Sequence, residues 1–224
     1  MLDQHCHGCV LFDLDGTLYD SPQYSERLEE EIAIFVSERI SVDVEHAKAV
    51  LGERRRELGT LTKTLESLGI GREDFFKSMA ARIEPHRYIP KDPSVKLMIE
   101  ELKTRGFKVA LVSNSGRPLV EKILKALGLD ESLFDAVITS SEARPKPSPE
   151  PFLQALKLTN CDKAGAIYVG DRDEAELHPA RTLGIRTILL DRKRGTQTRW
   201  ADVVINDLSQ VPDAVTGILR NDRQ

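Results

Sequence analysis

Cysteine is scarce in this chain, three residues in 224, and an odd number in a protein of this size excludes a disulfide framework. Cys6 and Cys9 form a Cys-x-x-Cys beside His5 and His7. No second ligand pair follows at zinc-finger spacing, and no helical pattern follows Cys9 as a thioredoxin-like motif requires, so no metal or redox role is assigned to them. Cys161 reads as structural or merely exposed. Long apolar runs are missing as well, and Met1-Leu2-Asp3-Gln4-His5 lacks the basic and apolar regions of a secretory signal. A cytoplasmic protein without a membrane partner is expected. Nor is there an excess of one charge: 32 Lys and Arg stand against 36 Asp and Glu, a net charge of -4, which gives no electrostatic case for nucleic acid as a partner. There is no internal repeat and no low-complexity segment. What remains is an ordinary globular balance, 40% hydrophobic and 30% charged, long enough for one large domain or a core with an insertion.

The most informative segment is Val10-Leu11-Phe12-Asp13-Leu14-Asp15-Gly16-Thr17-Leu18. Val10 to Leu14 has the length and apolarity of a buried strand, and alternation points Asp13 and Asp15 the same way at its carboxyl end. Gly16 and Thr17 then break the strand. Ligands of parallel α/β sheets bind at that edge. Two like charges there repel and need a cation, a proton or a substrate to offset them. Magnesium meets that need, because it takes a few carboxylates and keeps water and phosphate oxygens as its other ligands. The string therefore predicts a magnesium-dependent phosphate site.

Apolar residues three and four apart predict helices over Ser25 to Ile40, Val44 to Leu58, Leu61 to Leu68 and Glu73 to Ile83. Beyond Pro93 the pattern alternates. Val95 to Arg105, Pro118 to Leu127, Pro149 to Leu158, Glu174 to Leu183 and Val211 to Leu219 read as helices. Lys108 to Val112, Ala136 to Thr139, Ala164 to Val169, Thr187 to Leu190 and Ala201 to Ile205 read as strands. Such βα alternation implies a parallel sheet with helices on both faces. The fold class is thus α/β, a Rossmann-like sheet with a small all-helical cap. Residues 1-19 and 91-224 form the core, and 20-90, too long for a loop, form a cap placed over the acids.

Three more motifs follow strands. Ser113-Asn114-Ser115-Gly116 offers donors for a phosphate beside a positive helix end. Ala143-Arg144-Pro145-Lys146-Pro147 clamps a lysine between two prolines, which fix φ and hold the cation in place. Gly170-Asp171-Arg172-Asp173-Glu174-Ala175-Glu176 puts Asp171 directly at a strand end as a third metal ligand. The helix macrodipole accounts for Asp173 and Glu174 but not for Asp171.

With these four motifs in order, the chain resembles the haloacid dehalogenase superfamily in its phosphatase branch, over about residues 10 to 191, with Asp-x-Asp-Gly-Thr-Leu the most specific mark. The resemblance implies that Asp13 attacks phosphorus and that Asp15 is the general acid and then base. It implies that Ser113 binds the phosphoryl group and that Lys146 stabilises charge. It further implies that Mg²⁺ is held by Asp13, Asp171 and the backbone carbonyl of Asp15, with Thr17, Asn114, Ser115 and Gly116 binding substrate. The family usually has an aspartate where Glu176 falls, so that residue receives only a metal-supporting role. Asp15 favours a phosphatase over the dehalogenating relatives, which lack that acid. The partner is then a small phosphorylated metabolite. Leu18-Tyr19, Gly59-Thr60-Leu61-Thr62, Leu68-Gly69-Ile70, Phe75-Phe76 and Tyr88 are similar to the pyrimidine 5'-nucleotidase-like subgroup, while phosphoglycolate and sugar phosphates stay open. Two alternatives stand beside this reading. One is a phosphomutase, which would need an acid or base near the hinge, where Asp20, Ser21 and Gln23 lie; the other is a non-enzymatic phosphometabolite-binding protein.

Overall fold

Helical spacing of apolar residues and short apolar runs alternate along the chain, and their order fixes the architecture. The computed structural model describes residues 8–221; Cys6, His5 and His7 lie outside them. Strand β1 (Gly8–Phe12) is followed by four helices, α1 (Pro22–Ile40), α2 (Val44–Leu58), α3 (Leu61–Ser67) and α4 (Arg72–Arg82). The chain then continues through α5 (Pro93–Thr104), β2 (Phe107–Val112), α6 (Arg117–Leu127), β3 (Ala136–Ile138), α7 (Glu150–Thr159) and β4 (Ala166–Gly170). A π-helical turn (Asp173–Leu177), α8 (His178–Thr182), β5 (Arg186–Leu190), β6 (Val203–Ile205) and α9 (Val211–Asn221) complete it.

All six strands are parallel, in the order β3-β2-β1-β4-β5-β6. This is the α/β Rossmann-like order, in which the chain reverses its direction of travel across the sheet beside β1 and leaves a crevice at the carboxyl ends of the strands. β1 is central, with Phe12 opposite Leu111 of β2 and Val169 of β4. Period-two alternation sends Val10, Phe12, Val109, Leu111, Ile167 and Val169 to the face covered by α5, α6 and α9. Cys9, Leu11, Ala110, Val112, Ala166 and Tyr168 go to the other, covered by α7 and α8. Every residue of β1 is buried, and each large apolar side chain so placed contributes about 1.5–3 kcal/mol.

The first of these clusters continues into α1, α3 and α4 through Tyr24, Ile32, Phe35, Leu65, Phe76 and Met79. Helix α4 rests directly on α6. A Cβ at Gly116 would lie 2.3 Å from Cγ of Phe76, so only glycine allows this approach. Lys122 of α6 donates to the carbonyls of Ala80 (2.6 Å) and Ile83 (3.2 Å) and to Glu84 (2.8 Å). Just before α1, Ser21 caps that helix by accepting from the Tyr24 amide (3.2 Å) and donates to the Tyr88 carbonyl (2.9 Å), joining the segments that precede α1 and follow α4.

Most boundaries move by a residue or two, and three of the differences have a clear local cause. β1 ends at Phe12 rather than Leu14, because the Leu14 carbonyl already accepts from the Thr17 and Leu18 amides in a turn. α1 starts at Pro22 rather than Ser25, because Ser21 supplies the cap and proline suits the first helical position. The expected helix from Glu174 is split into the π turn and a short α8, with the Arg172 carbonyl accepting from both the Glu176 and Leu177 amides.

Candidate active site

The sheet order brings Asp13 and Asp171 together, since each follows one of two adjacent central strands. Asp13 extends the ladder by one bond, its amide donating to the Val169 carbonyl at 3.0 Å. The turn that follows is close-fitting. Gly16 has φ +90°, and a Cβ there would lie 2.5 Å from Oδ2 of Asp171. Thr17, fully buried, directs its hydroxyl to Asp171 Oδ1 at 3.4 Å. From beyond β5, Arg192 donates to the carbonyls of Gly16 and Thr17 (2.7 Å for the latter), pinning the turn from the side.

Lys146 arrives from the loop between β3 and α7, and its side chain is completely buried. Its ammonium meets four oxygens: Asp13 Oδ1 (2.5 Å), Tyr168 Oη (2.8 Å), Glu176 Oε1 (2.9 Å) and the Val112 carbonyl (3.0 Å). An ammonium has three hydrogens, so these four oxygens share them. Burial alone would lower the lysine's pKa, but the charges of Asp13 and Glu176 outweigh it and hold Lys146 above its ordinary value. Asn114 braces the loop, accepting from the Lys146 amide (2.7 Å) and donating to the Lys146 carbonyl (3.0 Å). Its amide is therefore committed to the lysine's main chain.

Asp15 faces a different set of groups. Tyr19 donates to its Oδ1, Ser115 donates to Oδ2 at 2.9 Å, and Ser113 lies 3.4 Å from the same oxygen while accepting from the Ser115 amide at 3.0 Å. Burial first, and then the neighbouring charge of Asp13, push the Asp15 carboxyl above its usual range, against the two hydrogen bonds that favour ionisation. Burial and the Asp15 charge likewise keep the Tyr19 phenol protonated.

One oxygen each from Asp13, Asp171 and Glu176 lie within 4.8 Å of one another. Burial and the charge of Asp13 push the Asp171 and Glu176 carboxyls upward. Asp13 Oδ2 and Glu176 Oε2 are buried with no hydrogen-bond partner among the described residues. With all three acids ionised, Lys146 offsets one charge and Arg172, acting on Asp171, offsets part of the rest, so negative charge stays in excess. A divalent hard cation fits that excess and the all-oxygen donor set.

Of the residues expected from sequence, Asp13, Asp15, Ser113, Ser115, Lys146 and Asp171 converge at this edge, with Thr17 behind Asp171, Asn114 behind Lys146 and Gly116 beneath Phe76. The carboxylate of Asp15 points to Tyr19 and the serines rather than into the acid trio. Tyr168 and Arg192 carry no site signal in the motifs, and Tyr19, part of the Leu18-Tyr19 resemblance, is found in an unexpected place as a donor to Asp15. Tyr168 is hidden in an apolar strand, while Arg192 sits directly after one and could have been flagged by that position. Above these groups opens a cleft of about 400 Å³, with walls from α1, the α2–α3 corner and α4, including Leu28, Ile32, Phe75, Phe76 and Met79. No helix among the described residues is long and apolar enough to cross a membrane.

Known proteins resemble this chain in sequence and in fold. Residues 10–190 match the model of the haloacid dehalogenase-like hydrolases. The chain is 31% identical over 209 residues to the phosphoglycolate phosphatase of Aquifex aeolicus, covering 91% of this chain and 89% of that protein. It is 26% identical over 232 residues to the glyceraldehyde 3-phosphate phosphatase of Methanocaldococcus jannaschii, covering 95% and 98%. A crystal structure of a HAD phosphatase from Thermococcus onnurineus shares the fold, with a TM-score of 0.71 at 22% identity over 94% of this chain and 98% of that one. The chain belongs to the haloacid dehalogenase-like hydrolase family.

Proposed function

We propose that the protein is a Mg²⁺-dependent phosphatase of small phosphate monoesters that works through a phosphoaspartate on Asp13. The observation that carries this reading is the cluster of Asp13, Asp171 and Glu176, with Asp13 and Glu176 buried on one lysine and each holding an orphaned carboxylate oxygen. Asp13, Asp171 and the Asp15 carbonyl would hold Mg²⁺, with Glu176 as a supporting acid. The bound ion would supply positive charge against the repulsion between a carboxylate nucleophile and a phosphate dianion.

Asp13 attacks phosphorus as the bond to the leaving oxygen breaks, and Lys146 neutralises charge on Asp13 and on the phosphoryl oxygens. Asp15, whose carboxyl is shifted toward the protonated form, gives its proton to the leaving alkoxide. Once ionised, Asp15 takes a proton from water. That water attacks phosphorus, releasing phosphate and restoring the Asp13 carboxylate. Ser113 and Ser115 hold Asp15 in line and bind the phosphoryl group. Residues 20–90 act as a cap that excludes bulk water and contacts the leaving group. The relatives named above act on phosphoglycolate and glyceraldehyde 3-phosphate, which supports a small leaving group. A mutase would need its own acid or base near the hinge, and Ser21 there is spent on the Tyr24 amide and the Tyr88 carbonyl.

The test is phosphate release by purified protein with Mg²⁺ across phosphoglycolate, glyceraldehyde 3-phosphate, UMP, CMP and sugar phosphates, repeated with chelator and with Asp13→Asn. Release on at least one ester, lost in chelator and in the variant, is expected. Full activity in chelator, or in Asp13→Asn, would overturn the reading.

A further inference from the structure

Two arginines line the cleft: Arg172, whose charge acts on the acids of the floor, and Arg55, which comes from the helices above. Arg55, in the last turn of α2, lines the cleft together with Glu29 of α1. Its Nη1 donates to both Glu29 oxygens, at 3.0 and 2.8 Å. Its other edge, Nε and Nη2, is buried and has no hydrogen-bond partner among the described residues. That edge is the side-on fork of a guanidinium, two parallel N–H groups spaced to meet two oxygens of one carboxylate or phosphate.

A buried donor without a partner is costly, and among the described residues no other arginine has a buried nitrogen left without one. Arg117, also well covered, uses all three nitrogens: Nε on Glu142 (3.0 Å), Nη1 on Glu131 (2.5 Å) and Nη2 on the Val137 carbonyl (2.7 Å). Arg105 is similarly spent, on Glu101, Asp213, the Pro212 carbonyl and Thr216. Arg55 differs in standing over a catalytic floor whose Lys146 is already saturated by Asp13, Glu176, Tyr168 and Val112.

We propose that Arg55 is the specificity residue of this cleft, and that its Nε/Nη2 edge receives a second oxyanion, a carboxylate or a phosphate, carried by the leaving group. The substrate class is then a short phosphate monoester with an acidic far end, its phosphoryl group on the floor and its oxyanion under the roof. This rests on the phosphatase reading above. Because both nitrogens are shielded from water, the oxyanion reaches them as side chains at the α2–α3 corner shift, and the same shielding strengthens the bond once it forms.

The experiment compares kcat/KM for phosphoglycolate and for 2-hydroxyethyl phosphate, which replaces the carboxylate by a neutral alcohol, with propane-1,3-diol bisphosphate as the phosphate-ended arm. Wild-type protein should favour one of the two acidic esters over the neutral one at least tenfold, and the better of them identifies the oxyanion. Arg55→Gln should reduce that ratio about ten- to a hundredfold, the worth of a charge-assisted pair. Arg55→Lys, which keeps the charge but not the fork, should recover only part of it. Should Arg55→Gln fail to fold, Glu29→Gln decides. Removing the competing carboxylate should raise the ratio, and a fall would overturn the proposal.

Calorimetric binding of the same esters in an Asp13→Asn background separates the two readings. Arg55-dependent binding without turnover in the wild type would sink the phosphatase and keep the subsite. Turnover of both kinds of ester with a ratio that Arg55→Gln leaves within twofold would sink the subsite and keep the phosphatase.

Discussion

Replacing Lys146 by methionine keeps most of the side-chain volume and removes the one cation between two buried carboxylates. Asp13 loses its 2.5 Å partner and Glu176 its 2.9 Å partner, and neither can turn to water, since their side chains are 4% and 5% exposed. Breaking a buried pair from one side costs about 3–5 kcal/mol, because the abandoned charge stays buried. In a domain of this size each kcal/mol moves the melting temperature by about 2–4 °C, so Lys146→Met should melt roughly 6–20 °C below wild type in the absence of divalent ions. Adding Mg²⁺ should recover more of the loss in the variant than it adds to the wild type. With the lysine gone Asp13 and Glu176 have no hydrogen-bonded cation and only the charge of Arg172 beside Asp171 remains, and a cation binding only the folded state stabilises it by mass action. Turnover should nevertheless stay down about a hundredfold or more, as expected when one preorganised charge is removed from a transition state. Calorimetric melts with and without Mg²⁺, read beside phosphate release, make the test. A variant that melts with the wild type and gains no more from Mg²⁺ would show that Asp13 and Glu176 do not depend on Lys146, and the charge account of the site would fail.

Two further perturbations test the fold that carries the site. Gly116→Ala places a Cβ 2.3 Å from Cγ of Phe76, so the ring must leave its seat. Such overpacking costs about 1–3 kcal/mol, and because Phe76 lines the cleft the variant should change KM more than kcat, read from urea midpoints and steady-state kinetics. Asp202 accepts from Arg181 (2.5 Å) and the Thr187 amide (2.8 Å). Burial alone would raise its carboxyl, but Arg181 and Thr187 outweigh it and hold it below the usual range. A depressed carboxyl stabilises the fold above its unfolded pKa of about 3.9, and the gain disappears as pH falls through the lower folded value. Asp202→Asn should therefore show a constant loss in urea midpoint near neutrality that closes in acid; a gap unchanged at low pH would contradict the assignment.

Most of the fold was legible because its signals are local. Buried parallel strands read as short apolar runs, inserted helices as three-and-four spacing, and the glycine breaks after α5, α6 and α8 mark where helices stop. The order of strands in the sheet was legible only in part. Sequence placed β1 centrally, but pairing β1 with β4 is a long-range choice that no local pattern records, and that pairing puts Asp171 beside Asp13. Similarly, the motif containing Asn114 and Gly116 was visible as a polar loop. That Asn114 would brace Lys146 and Gly116 would seat Phe76 depends on partners more than thirty residues distant.

Glu176 shows most clearly why the rest was hidden. Counted along an ordinary α-helix from Glu174, it sits at a position where an extra methylene makes its carboxylate's reach unclear. The chain instead forms a π turn, in which the Arg172 carbonyl accepts from both the Glu176 and Leu177 amides, and a π turn shifts the following side chains around the axis relative to an α-helix. The longer acid then reaches Lys146 at 2.9 Å and joins Asp13 and Asp171. The fit extends to the strand before it. A Cβ at Gly170 would lie 2.6 Å from Oε2 of Glu176 and 2.8 Å from Cε1 of Tyr168, so glycine at the end of β4 makes room for the acid and for the phenol that shares the lysine. The glutamate, the widened turn and the glycine are thus one arrangement, and no one of the three has a visible reason when read alone.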